Sequence, residues 1–482
     1  MEPGDLLLIQ GPPGTGKTSL IAHLARAALA RHLFDYDGRA PQDRRPVLVL
    51  TNTHRAADEV VLKLLDRFPE VAPFVIRVGG RRADMDERVA RQTLAERAGA
   101  REVLGEADLA GNGAAVLFRL IRRAQTYHDH AGIFVGTLGS ADAAELRGLS
   151  FELVIVDEAG QATEPAMLQA LRHLPPGYAG RLVLVGDHRQ LPPVVSDELV
   201  PPPVPEAFRQ LGLQAGDSLR TSAFERLARL YPHALITLTE QYRMNAPICS
   251  LVSETFYEGQ LVPGTQEVAE RALAGWLSRF GLSVPASSVW SGPPVVLITT
   301  EADPDARDSG ARFIAGRSPD EARDNPREAT IVAALLGELI GSLPPDWRAE
   351  VAREIGVISP YRRQNNRIRQ ELLRHDEALA AVRVDTVDRF QGGEREVIVV
   401  SLVNSNDEAA IGRLHADWRR MNVAISRARR ALVIVGDRST FIHDPGRPEE
   451  DEARRYYRAL FDGIERLAQQ GQARVLDSRT LP

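Results

Sequence analysis

The sequence predicts an α/β architecture with two parallel sheets, on two observations. Short β-branched runs alternate with stretches whose apolar residues recur at helical spacing. The 482 residues, at roughly 100 to 200 per domain, suffice for about three domains and more than one buried core. The first set of strands is expected at Leu6 to Gln10, Val47 to Thr51, Ile133 to Thr137, Leu153 to Asp157 and Leu182 to Gly186. A second set follows at Leu235 to Leu238, Val295 to Thr299, Ile355 to Ser359, Arg383 to Thr386, Val397 to Leu402 and Ala431 to Gly436. Thr18 to His32, Ala56 to Arg67 and Asn365 to His375 carry the helical periodicity. Asp84 to Leu109 also reads as helix, but it is polar and arginine-rich, so about 80–131 is taken as a helical insertion in the first domain. Pro192 to Pro205 and Glu301 to Pro326 carry the proline, glycine and charge of loops. The domain boundary is expected at about 235/236, giving domains 1–235 and 236–482.

Composition narrows the function classes. There are 65 acidic against 59 basic residues, a formal net charge of -6, so contact with a polyanion requires a local groove rather than bulk basicity. Cys249 is the only cysteine, which excludes an intrachain disulfide, a multi-cysteine zinc site and a four-cysteine iron–sulfur cluster in these residues. A reducing cytoplasm fits that usage. No apolar run reaches 18 residues and the first ten lack the order of a signal peptide, so a soluble chain with no membrane segment is expected. Lys17 and Lys63 are the only lysines. In a chain that otherwise uses arginine, Lys17 sits where a planar guanidinium fits poorly.

That position closes a phosphate-loop string. Strand Leu6 to Gln10 runs into Gly11-Pro12-Pro13-Gly14-Thr15-Gly16-Lys17-Thr18 and then into a helix. The glycines let backbone amides turn toward β- and γ-phosphates, and the helix N-terminus adds positive potential. Lys17 supplies a compact cation and the Thr18 hydroxyl a magnesium ligand, so ATP and Mg2+ are the expected cofactors. Leu153 to Val156 is an apolar strand followed by Asp157-Glu158. Asp157 at the strand end suits magnesium, and Glu158 suits proton abstraction from an attacking water, which favours hydrolysis over transfer to a substrate hydroxyl.

Further strings follow in order: Gly186 to Pro193 (GDHRQLPP), Ser222 to Leu227 (SAFERL), Glu240 to Met244 (EQYRM), Phe256 to Gly259 (FYEG), Ile355 to Gln364, Val384 to Glu394 and Asn422 to Ala428 (NVAISRA). With the phosphate loop and the Asp-Glu pair, this collinear set resembles the superfamily 1 helicases, in the branch of the nonsense-mediated-decay RNA helicase and the Okazaki-fragment helicase-nuclease. Regions near 80–131, 265–290 and 302–324 lie outside it. The resemblance implies two tandem RecA-like domains and an ATP-driven helicase or translocase. Gln190 is then the γ-phosphate sensor. Arg243 and Arg427 are the arginine fingers, whose planar forks suit a phosphoryl oxygen. Tyr242 stacks on adenine, Glu394 contacts ribose, and Gln391 serves as a γ-phosphate or domain-coupling residue.

Motors of this kind grip a single strand over both sheets, through phosphates and a few stacked bases. The expected contacts are Thr51, Asn52, Thr53, Thr137, Pro192 and Pro193 in the first domain, and Ser359, Pro360, Tyr361, Arg362 and Thr386 in the second. Each is also a residue type common in caps and turns. Arg81, Arg82, Arg88 and Arg91 either extend the track or form a solvated helix face. The partner is single-stranded DNA or RNA, with DNA favoured on family breadth and 5′ to 3′ movement implied. A remodelling module that grips without unwinding is the competing class; a metabolic phosphoryl transferase is a third. The phosphate loop begins ten residues after Met1, leaving no room for the family's upstream adenine-reading glutamine and barrel-like module. The chain is therefore expected to be the motor portion of a longer protein.

Overall fold

The computed structural model describes residues 6–34, 46–93, 96, 132–175, 180–195, 220–282, 284–285, 287–310, 323–390 and 392–481. They form two compact units. Met1–Gly11, Gly16–His188 and Pro192–Leu238 make the first, and Pro12–Thr15, Arg189–Leu191 and Thr239–Pro482 the second.

The first unit holds seven strands: β1 Leu6–Gln10, β2 Val47–Thr51, β3 Val75–Arg77, β4 Ile133–Thr137, β5 Leu153–Val156, β6 Arg181–Gly186 and β7 Leu235–Thr237. Their order is β3-β4-β2-β5-β6-β1-β7, every pairing parallel. Strands covered on both faces must be apolar on both, as Val47, Leu48, Val49 and Leu50 are. Leu48 and Leu50 pack with Leu8, Phe134 and Val154 on one face, while Val47 and Val49 join Ile9, Ile21 and Val135 on the other. Each such side chain, fully buried, contributes about 1.5–3 kcal/mol.

Three expectations are corrected here. Leu235 to Leu238 was expected in the second sheet, but Leu235–Thr237 pairs with β1 through Leu8↔Leu235 and Gln10↔Thr237. Backbone pairing along the open edge of β1 outweighs sequence proximity to the later strands. Val75–Arg77 adds an edge strand that three residues after a proline-containing turn did not announce. Asp84 to Leu109 is not one helix over its described part, where a 3-10 turn at Arg82–Asp84, a one-turn helix Glu87–Ala90 and a bridge between Arg77 and Thr93 interrupt it. The Asp86 side chain, accepting from the Arg88 amide at 2.8 Å, starts that short helix anew. Residues 97–131 of the expected insertion lie outside the described residues.

The second unit holds a short parallel pair, β8 Glu240–Gln241 and β9 Val262–Pro263, and a six-stranded parallel sheet. Its strands are β10 Val295–Thr299, β11 Ile355–Ile358, β12 Arg383–Asp385, β13 Arg395–Ser401, β14 Ala428–Gly436 and β15 Ala473–Asp477, in the order β12-β11-β13-β14-β10-β15. β15, absent from the expectation, pairs with β10 and is half exposed, so it lacks the apolar run of its neighbours. The long helix Pro326–Gly341 covers one face, with Asn325 as its N-cap accepting from Glu328 N at 3.1 Å. Asp451–Gln469 covers the other, burying Tyr457, Leu460, Phe461 and Ile464.

Candidate nucleotide site and strand-end residues

The chain leaves β1 at Gly11, whose amide donates to Gly186 O at 2.9 Å, and Pro12–Thr15, grouped with the second unit, follow. Gly14 and Gly16 adopt φ of +76° and +78°, a region open to glycine at little cost, and at Gly14 a Cβ would lie 2.7 Å from Arg243 Cβ. Thr15 closes the turn, its hydroxyl donating to Pro12 O at 2.8 Å. Lys17 opens the helix Lys17–Phe34 and folds its ammonium back onto Gly11 O, and Thr18 follows on the first turn.

Asp157 follows β5 and is buried. Burial raises its carboxyl above the ordinary range, and the Lys17 charge and the Glu158 amide work against that rise. The Lys17 charge is thus felt at the Asp157 carboxyl. Glu158 adopts a left-handed conformation, φ +53°, in which a non-glycine residue carries strain of about 1–3 kcal/mol. Asn52 Nδ2 donates to Glu158 O at 2.9 Å and holds it there.

Of the first unit's expected strand contacts, Thr51 and Thr137 are buried and present no side chain at a surface, Asn52 is half-buried and Thr53 is exposed. Thr51 and Thr137 are register partners at the ends of β2 and β4. The Thr51 hydroxyl donates to Thr53 O at 2.8 Å, Thr53 caps the helix His54–Arg67, and the hydroxyls of Thr137 and Ser140 lie 2.6 Å apart. Beneath them lies Arg77, which sequence reasoning missed. It is fully buried, pairs through Nε with Asp58 at 2.7 Å and donates to the carbonyls of Val78, Gly79 and His54. A buried arginine bound to two loop carbonyls and one at a helix start ties the ends of β3 and β2 to that helix. Pro192 is half-buried and Pro193 buried. Arg82, Arg88 and Arg91 of the insertion spend their charge on Glu87, Asp66 and neighbouring acids.

In the second unit, Tyr242 and Arg243 follow β8. Gln241 is buried and organises the turn, accepting from the amides of Arg243 at 2.8 Å and Met244 at 2.7 Å. The Tyr242 ring is 45% exposed, packs over Gly264 and donates its hydroxyl to Glu240 at 2.9 Å. Its amide donates to Gly14 O at 2.9 Å. Arg243 Nε pairs with Glu394 at 2.7 Å and Nη1 donates to Ser426 O at 3.0 Å. Burial opposes ionisation of Glu394, but Arg243, Arg429 and Arg427 outweigh it and hold the carboxyl below its usual range. Arg427 is buried and its Nη2 donates to Gln190 Oε1 at 3.3 Å. Gln391 lies outside the described residues.

The second unit's strand contacts divide. Arg362 is exposed at the start of the helix Arg362–His375, and Pro360 and Thr386 are half-buried. Ser359 and Tyr361 are buried, the latter with its ring against His415, so neither presents its side chain at a surface. What holds these loops was not legible beforehand. Glu328 is fully buried and accepts from Ser401 Oγ at 2.7 Å and from Val403 N at 2.9 and 3.1 Å. Gln364 Nε2 donates to Ser401 Oγ at 3.0 Å and to Asn325 O at 3.1 Å. Burial pushes the Glu328 carboxyl up to about 8, with the Ser401 and Val403 hydrogen bonds opposing and Asp437 and Asp308 adding.

Residues 1–108 and 111–198 match one family model described as an AAA domain, and 219–439 match another of that description. The mouse DNA replication ATP-dependent helicase/nuclease DNA2 is 32% identical over 450 residues, covering 92% of this chain and 36% of the relative. The human protein of that name is 30% identical, with 90% and 35% covered. Regulator of nonsense transcripts 1 of Dictyostelium discoideum is 30% identical, with 91% and 30% covered. This chain belongs to the superfamily 1 helicases. It carries the motor core of that family and spans about a third of the length of these curated relatives. No helix among the described residues is long and apolar enough to cross a membrane.

Proposed function

We propose that the chain is the ATP-hydrolysing motor of a nucleic-acid helicase. The observation that carries this reading is a loop in which Gly14 and Gly16 take φ of +76° and +78° ahead of Lys17 at the start of a helix, with Asp157 buried after a strand of the same sheet. In this reading Lys17 and the loop amides bind the phosphates, Glu158 takes a proton from water, and Gln190 orients that water. Arg243 and Arg427 offset charge on the transferred phosphoryl group, and Tyr242 and Glu394 hold adenine and ribose. The donors suit Mg2+, a hard cation that takes a few protein oxygens and completes its octahedron with phosphates and water. Thr18 and Asp157 would hold it, and a cation there offsets the cost of ionising a buried carboxyl; bound, it neutralises phosphate charge.

Single-stranded nucleic acid is the proposed track, gripped by Asn52, Thr53 and Pro192 in the first unit and by Pro360, Arg362 and Thr386 in the second. Hydroxyl and amide donors contact phosphate without reading sequence. DNA is favoured, since the relatives cited above include two named for DNA replication, and movement is 5′ to 3′. The single buried cysteine accords with a reducing, cytoplasmic setting. The test is strand displacement on duplexes with a 5′ or 3′ tail, alongside ATP turnover with matched DNA and RNA oligonucleotides. Turnover stimulated by a single strand, with displacement of 5′-tailed duplex, is expected. Stimulation without displacement identifies a remodelling module instead, and no stimulation by either polymer overturns the motor reading.

A further inference from the structure

The second unit contains a cavity of about 340 Å³ outside the residues assigned above. Its apolar wall includes Trp290, Val296 and Val433, and its uncharged and basic polar residues are Asn245, Ser291, Arg271 and Arg430. Glu270, exposed, is the one acid that lines it. A concave site of this size with an apolar wall and a few convergent polar groups has the make-up of a small-molecule site.

The charges indicate what the molecule carries. Arg429 and Arg430 share the carboxylate of Glu396. Arg271 beside them forms no ion pair within 4 Å among the described residues. Burial first, then the charges of Arg429 and Arg430, lower its affinity for its proton, with Glu396 and Glu267 opposing. Arg271 Nη1 donates to Tyr242 O at 2.9 Å and Arg243 O at 3.2 Å, leaving the rest of its fork for another acceptor. The surroundings are braced: buried Asn245 donates to Arg271 O at 3.0 Å and Arg430 O at 2.9 Å, and Arg430 Nη1 donates to Ala272 O at 3.1 Å. The guanidinium facing the cavity thus also grips the backbone of the two residues read above as the adenine stack and a phosphoryl-binding arginine.

We propose that this cavity is a regulatory site for a small anion with an apolar body, whose acidic group pairs with Arg271 and whose occupancy is felt at Tyr242 and Arg243. An anion on the fork fixes a side chain that now balances like charges, and so fixes the two carbonyls it holds. The consequence for ATP rests on the nucleotide reading above; binding at the cavity does not.

The probe is 8-anilinonaphthalene-1-sulfonate, titrated by fluorescence into the whole folded chain, with uncharged N-phenyl-1-naphthylamine as its control. Saturable binding of one anionic probe per chain is expected, weakened at least tenfold by Arg271→Ala while the uncharged control changes less than threefold. Ala274→Trp, at an exposed residue lining the cavity, adds bulk to its wall and is expected to weaken both probes at least tenfold. With the probe bound, KM for ATP falls at least twofold, and by linkage a non-hydrolysable ATP analogue tightens the probe by the same factor as the probe tightens the analogue. Unaltered anionic binding in Ala274→Trp, or equal loss of both probes in Arg271→Ala, overturns the site. Binding as expected with no reciprocal effect of the analogue overturns the regulatory role. Loss of ATP turnover in every preparation, with probe binding intact, faults the nucleotide reading rather than the cavity.

Discussion

The two sheets present their carboxyl edges in different ways. At the first, the groups proposed to hold phosphate and metal come from one contiguous octapeptide and one acidic pair. At the second, the loops rest on Asn325, Glu328, Gln364 and Ser401, four buried polar side chains from three segments joined by hydrogen bonds of 2.7 to 3.3 Å. Phosphate chemistry needs one short loop with special backbone angles. Holding several strand ends in register needs partners from across the fold.

Substitutions test that contrast from opposite ends. The largest effect is expected for Lys17→Ala, with ATP turnover down more than about 100-fold, since the compact cation has no substitute nearby. Glu158→Gln is expected to lose turnover comparably while retaining nucleotide binding, read by phosphate release against equilibrium binding; full activity would remove Glu158 from the base role. In the second unit Glu328→Ala strips partners from the Val403 amide and the Ser401 hydroxyl, at about 3 kcal/mol of stability by urea unfolding. A cost below about 1 kcal/mol would mean that the network does not support those loops.

Acidity sharpens the same comparison. With the Glu328 carboxyl raised to about 8 from 4.5, the folded chain holds a proton that the unfolded chain has released across that window. The stability from this group is complete below about 4.5 and is lost as pH rises toward 8. His415, also buried, is pushed down to about 4 from 6.5, so its contribution is lost in the opposite direction, as pH falls through that lower window. Between pH 6.5 and 8 only the Glu328 slope remains of the two. Wild type minus Glu328→Gln is therefore expected to decline by at most about 1.4 kcal/mol per pH unit in urea unfolding. A flat difference would show that Glu328 is ionised in the fold.

The smallest expected effect is at the first edge. Thr53→Ala removes the cap on His54–Arg67 and costs about 1 kcal/mol of stability. If Thr53 also grips the strand, affinity for single-stranded DNA falls at low salt as well; unchanged affinity would leave it a cap alone.

Much of this chain was legible before its structure. Buried parallel strands must be apolar on both faces, so Val47–Thr51 and Ile133–Thr137 stood out as continuous runs, and the phosphate loop stood out because its glycines and lysine are adjacent in sequence. Val75–Arg77 and Ala473–Asp477 did not: one is very short and ends in an arginine, the other is half exposed and mixed in polarity. Leu235–Thr237 was recognised as a strand but placed with the wrong sheet, because strand propensity is local whereas the choice of neighbour is made by an open backbone edge. For the same reason the sequence by itself determined the α/β class, the loop that suits phosphate and the family. Only the tertiary structure decided that Arg77 braces one set of strand ends, that Glu328 holds the other and that Tyr361 is buried. A buried charge or amide is tolerated only where distant segments supply its hydrogen bonds, and that supply exists only once the chain has folded.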